Sequence, residues 1–135
     1  MAPLVQPAVA TAGRFSQLRA QHCYKPLMKP NGPPKSLGIL LARGPESTEA
    51  RLTRGLAGAA ARRRVHVAVF LMAQGADLLR SPLVRELTDL GVRVSVCTQS
   101  VTERGLPMDL DHVDYASQFQ LGRLVATADR FVALA

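Results

Sequence analysis

Cys97 is the residue whose type and setting most directly offer chemistry. It closes the apolar run Val92-Arg93-Val94-Ser95-Val96 and is followed by Ser100-Val101-Thr102-Glu103, a serine and a glutamate at capping-box spacing. A thiol just ahead of a helix start meets the positive end of the helix dipole, and Arg104 lies on the same short segment. Both favour thiolate, the form of cysteine that attacks sulfur and carbon electrophiles. Lowering a thiol from its reference pKa of about 8.5 to near 7 takes about 2 kcal/mol, and a helix end supplies about 0.3 to 1. A cation such as Arg104, or one from another subunit, has to supply the rest. The same position also suits a small apolar filler at the end of a core strand, and the residues alone leave both readings open.

The other candidates offer less. His66 sits inside an apolar strand, and His112 has Asp111 and Asp114 as neighbours in what reads equally well as a solvated turn. Cys23, Cys97 and three scattered histidines do not make the four-ligand pattern of a zinc site, so no metal is expected. There is no Gly-x-Ser-x-Gly elbow and no pair of carboxylates at strand ends, so hydrolase chemistry lacks its parts. In an open parallel sheet, ligands bind beyond the carboxyl ends of the strands. Gly44 and Ser47, Gly75, and Ser100 all fall there, which makes them candidates for holding a substrate or a small anion. Neither a Walker lysine nor a three-glycine fingerprint accompanies them, and Ser47 serves equally well as a plain helix cap.

The elements that must position these residues are read from residue 36 onward. Leu37 to Ala42 is a continuous apolar run, as in a strand buried on both faces, and Arg43-Gly44-Pro45 breaks it. Ser47 caps a helix expected to run to about Arg63, with Leu52, Leu56, Ala59 and Ala60 as its inward stripe. Val65 to Leu71 is a second strand, and a loop through Gly75 follows it. Ser81-Pro82 opens a helix whose stripe is Leu83, Val84, Leu87 and Leu90, with Gly91 at its stop. Val92 to Val96 forms the third strand, Ser100 caps a short helix ending at Gly105, and His112 to Tyr115 is a short fourth strand. Ser117 and Gln120 spell a capping box ahead of Leu121, Leu124, Val125 and Ala128, and Arg130 to Leu134 is the fifth strand. This alternation predicts βαβ units and a three-layer α/β/α sandwich on a mostly parallel five-stranded sheet.

The first 35 residues are expected to be a disordered, basic, proline-rich arm, with the α/β domain covering 36–135. Six of the nine prolines lie in residues 1–36, and no apolar period persists there. Acid-free and scattered with Arg, Ser and Ala, this segment is also similar to an organelle transit peptide or to an upstream extension from an early start codon. It lacks the basic n-region and continuous h-region of a secretory signal. The formal charge of +7 comes mostly from residues 1–45, which hold six basic side chains and no acid. The remainder is close to balance, which argues against a nucleic-acid-binding face on the folded part. No apolar run approaches the roughly 20 residues that span a bilayer, so no membrane role is expected. Two cysteines, one of them in the arm, make a poor disulfide framework, and both are read as reduced thiols in a cytoplasm.

The ordered set of pieces resembles the DsrE/DsrF-like family, which includes the TusD-type subunits of bacterial sulfur relays. The resemblance covers about Ser36 to Ala135. It rests on Leu37 to Leu41 followed by Arg43-Gly44-Pro45, on Val69-Phe70-Leu71-Met72 with Gly75 beyond, and on Gly91-Val92 leading into Cys97. Arg104-Gly105 and the last helix running into Ala128-Asp129-Arg130 complete it. The resemblance implies a sulfur carrier of sulfurtransferase type, with Cys97 accepting and passing on a persulfide and Arg104 as an electrostatic helper. It also implies sulfur donor and acceptor proteins as partners, no cofactor, and a homotrimer or homohexamer. The alternative is a non-catalytic oligomeric module that binds a small anion or a partner protein at the same strand-end crevice. The basic arm and Thr98-Gln99-Ser100 depart from the family pattern, which favours small apolar residues after the cysteine. For a carrier thiol that is partly accessible, Cys97→Ser is expected to leave the melting curve nearly unchanged.

Overall fold

The computed structural model describes residues 35–135, so the expected arm, Cys23 included, lies outside the described residues. Five strands, β1 (Ser36–Leu41), β2 (His66–Leu71), β3 (Arg93–Cys97), β4 (Asp114–Ala116) and β5 (Arg130–Leu134), form one sheet in the order β4-β3-β2-β1-β5. All four pairings are parallel, with Ile39 beside Val69 and Val132, Val69 beside Val94, and Cys97 beside Ala116. The helices are α1 (Thr48–Arg62), α2 (Pro82–Asp89), α3 (Thr98–Glu103) and α4 (Gln118–Thr127). A 3-10 segment, Ala73–Arg80, precedes α2 where the sequence suggested only a loop.

The caps explain why these segments start where they do. Ser47 accepts the N–H of Ala50 at the start of α1, and Ser81 accepts that of Leu83 with Pro82 at the first helical position of α2. Ser117 and Gln120 form the capping box of α4. Gly91 (φ +83°) and Gly105 (φ +62°) adopt the left-handed conformation that stops α2 and α3.

Chain direction then fixes the layers. From β1 to β4 the sheet grows one strand at a time in one direction, with the crossovers on one face. The step from β4 back to the far side of β1 runs the other way, and a right-handed connection places α4 on the opposite face. The first face is thick. Ile39, Leu41, Val67, Val69, Leu71, Val94 and Val96 point into a cluster of seventeen buried residues shared with α1, α2, α3 and the 3-10 segment. The second face has only five, Ala68, Phe70, Cys97, Ala116 and Leu124, with Leu121, Met72 and Phe131 packed around them. At about 1.5 to 3 kcal/mol for each fully buried large aliphatic, the first face holds the domain together and the second is lightly fastened.

Helix α1 is rotated from the expected orientation. Ala50, Thr53, Ala57 and Gly58 face the sheet, while Leu52 is 54% exposed and Leu56 40%. The sheet already supplies the bulk through Ile39, Val67 and Val69, so small residues on the helix fill the layer to interior density and large ones would overfill it. Val125 on α4 and Leu90 after α2 are likewise exposed rather than inward. β1 is locked to the end of α4 by Asp129, whose carboxylate accepts both the N–H and the hydroxyl of Ser36, while that hydroxyl accepts the Asp129 N–H.

Candidate functional site

Three strand ends meet at one edge of the sheet. β1, β2 and β3 are adjacent and parallel, so the segments after Leu41, Leu71 and Cys97 lie side by side, as the sequence led us to expect. Gly75 joins two of them. A Cβ on Gly75 would stand 2.2 Å from the carbonyl oxygen of Leu41, so the start of the 3-10 segment rides directly on the end of β1. The N–H of Met72 donates to that same carbonyl at 3.1 Å.

Ser100 ties in the third segment, by a bond the sequence did not suggest. α3 begins at Thr98, two residues before the expected cap, and Cys97 itself occupies the N-cap position with no side-chain capping bond. Ser100 is therefore inside the helix. Its buried hydroxyl accepts the N–H of Ala73 at 2.9 Å, and Ala73 sits at φ +50°, a left-handed conformation unusual for a residue with a side chain. Ser47 is equally occupied, since its hydroxyl donates to the Gly44 carbonyl at 2.6 Å and accepts the N–H of Ala50. Gly44 and Ser47 thus follow the end of β1, Gly75 that of β2 and Ser100 that of β3, and Ser47, Gly75 and Ser100 each have a structural duty of their own.

Cys97 is a free thiol and is only 2% exposed. This differs from the partly accessible thiol expected of a carrier. Strand alternation is the reason, because residues 93, 95 and 97 share a face, and that face lies under α4. The sulfur belongs to the apolar cluster with Phe70, Ala116 and Leu124 rather than opening into the crevice.

Arg104 also has a different role in the structure. Cys97 and Arg104 flank the six-residue helix α3 at its two ends, which separates their backbones by about 10 Å along the axis. The Arg104 guanidinium makes a two-pronged ion pair with the carboxylate of Asp77 on the 3-10 segment, with Nε to Oδ1 at 2.8 Å and a second bond from its terminal nitrogen. That pairing holds the Asp77 carboxyl below its ordinary value of 3.8 and raises the guanidinium above its own. Asp77 was not identified from the sequence. It lies 27 residues from its partner, and an aspartate two residues after a loop glycine carries no distinguishing signal. Of the other candidates, His66 is exposed, and the Nδ1 of His112 lies 3.4 Å from the Asp111 carboxylate. Among the described residues no group of three metal-ligating side chains gathers, and no helix is long and apolar enough to cross a membrane.

Comparison with known proteins places this geometry. The model of the DsrE/DsrF-like family matches residues 35–134. The crystal structure of the ychN protein from E. coli superposes with a TM-score of 0.66 at 20% identity, covering 74% of this chain and 99% of that one. A conserved protein of unknown function from Bacteroides thetaiotaomicron superposes with a TM-score of 0.64 at 14% identity, covering 74% and 95%. At these identities the two structures speak for the fold. No curated protein sequence matches the chain.

Proposed function

The chain belongs to the DsrE/DsrF-like family, and from that premise we propose that it carries sulfur as a persulfide on Cys97, taken from a donor protein and passed to an acceptor. The observation that carries this reading is a free cysteine at the carboxyl end of a parallel strand and at the N-cap of the next helix, the sheet edge where α/β folds place their chemistry. The Cys97 thiolate attacks the terminal sulfur of the donor's persulfide. A bond forms between Cys97 Sγ and that sulfur, the donor's S–S bond breaks, and the donor leaves as a thiolate. Attack by an acceptor thiolate on the terminal sulfur of the Cys97 persulfide reverses the roles and returns Cys97 as thiolate. Electrons balance within each exchange, with no outside oxidant. Free thiols of this kind persist in a reducing, cytoplasm-like compartment.

Burial of Cys97 adds a condition, namely that α4 must move for the sulfur to be reached. That helix has Leu124 as its single fully buried side chain, so a local opening costs far less than unfolding the domain. The anion-binding alternative has less support, because Ser47 and Ser100 already spend their hydroxyls within the fold. The carrier reading is tested by incubating the full chain with a persulfurated donor and mapping peptides by mass spectrometry. One added sulfur, about 32 Da, is expected on the Cys97 peptide and not on the Cys23 peptide. Equal labelling of both, or none on Cys97 with a competent donor, sinks it.

We further propose that the chain assembles with copies of itself, as a trimer or hexamer. Leu52 and Leu56, one helical turn apart on α1, are apolar side chains left uncovered in the single chain, and a symmetric partner would cover them. Light scattering that holds near 14.5 kDa at all micromolar concentrations would end that idea.

A further inference from the structure

The sheet face that α4 covers is covered only in part. Beside the helix, a cleft of about 360 Å³ opens over β2, β3 and β4, within the size range of small-ligand sites. Its floor is made by small residues from three neighbouring strands, Ala68, Ser95 and Ala116, where larger side chains would have filled it. Its helix wall is Phe119 and Arg123.

Two side chains of that wall stand outside the core and the ion pairs found among the described residues. Phe119 is 73% exposed, a large apolar ring left facing water. Arg123 places its guanidinium 6.0 Å from the centre of that ring, and among the described residues no carboxylate pairs with it. At the other side of the cleft Arg93 is engaged, its Nε donating to Asp114 at 2.8 Å. The lining therefore carries two arginines against one aspartate, with the excess positive charge beside an exposed aromatic surface. A planar guanidinium next to a ring suits a ligand that is flat and apolar at one end and anionic at the other.

We propose that this cleft binds a small aromatic carboxylate, its carboxylate on Arg123 and its ring against Phe119 and the alanine floor. Cys97 is not among its lining residues, so binding here does not require the persulfide reading, although the cleft shares α4 and Ala68, Ala116 and Leu124 with the cluster that buries that thiol. The test is titration of the full ¹⁵N-labelled chain with benzoate, and in parallel with benzamide, a neutral molecule of nearly the same shape. Saturable shifts are expected at the amides of Ala68, Ser95, Ala116 and Gln120, with benzamide about tenfold weaker for want of the charge-assisted bond. Arg123→Gln should bring benzoate down to the benzamide level, while Phe119→Ala should weaken both. Equal binding of the two probes, an Arg123→Gln variant that binds benzoate unchanged, or shifts that map elsewhere overturns the proposal. So does the absence of saturable shifts, the outcome expected if residues 1–34 or a second copy of the chain fill the cleft.

Discussion

The hydroxyl of Ser100 holds the backbone N–H of Ala73 at 2.9 Å, so the helix that follows Cys97 fixes a left-handed residue at the mouth of the 3-10 segment. Without that acceptor, the N–H of Ala73 loses its side-chain partner at a residue already held in a strained conformation. Ser100→Ala should destabilise the domain by about 0.5 to 1.5 kcal/mol, the range for the loss of one part-buried hydrogen bond. Ala73→Gly should relieve the strain and recover part of the loss in the double variant, as read by denaturant melts.

At Gly75 the constraint is steric. A methyl group there would overlap the Leu41 carbonyl, and both partners are backbone, so no rotamer change absorbs it. Gly75→Ala should cost about 3 kcal/mol or more, or prevent folding. Thermal unfolding checks this, with Gly44→Ala, where a Cβ meets nothing within 4 Å, as the tolerant comparison.

Burial changes what substitution of Cys97 should do. A hydroxyl placed in the cluster of Phe70, Ala116 and Leu124 loses water without an assured partner, so Cys97→Ser should cost about 1 to 3 kcal/mol rather than nothing. Cys97→Ala leaves only a small void and should cost about 1 kcal/mol. Both should abolish sulfur loading. The alanine variant, folded yet unable to load, is the one that separates chemistry from packing.

The Asp77–Arg104 pair predicts a pH signature. Because the Asp77 carboxyl is held below 3.8 in the folded state, the ionised form is favoured by folding. Its contribution is fully present above the unfolded value and is lost as the pH falls through the lower folded value. Asp77→Asn should therefore melt about 3 °C below the parent at neutral pH. The difference should close below pH 3.8 and should shrink in high salt. A gap that persists in acid would mean that Asp77 acts by packing rather than by charge.

Much of the architecture was legible because it is written in short local signals. Apolar runs of strand length, Ser47, Ser81-Pro82 and the Ser117–Gln120 pair each specify an element from a few neighbouring residues. What was not legible depends on contacts between distant segments. The rotation of α1 follows from how much bulk the sheet supplies, and the 3-10 turn follows from the contact between Gly75 and Leu41. The partners of Ser100 and Arg104 are each 27 residues away. The position of Cys97 at a strand end could be read, but whether its sulfur faces the crevice or the underside of α4 depends on the sheet face, and strand pattern alone did not reveal that α4 would cover it.

The place of β5 beside β1 has a bearing on how the chain acquires its shape. Ser36 and Asp129 are 93 residues apart, and β1 lacks its second neighbour until residues 130–134 have been synthesised. During translation, β1 to β4 can assemble early, but the edge of β1 stays unpaired, with the groove over Gly38 not yet covered by Leu124 and Phe131. Closure at such long range is slow, and an exposed parallel edge invites pairing with other chains in the meantime. The making of β5 thus ends the nascent chain's vulnerability at that edge, and deleting residues 130–134 would leave it open for good.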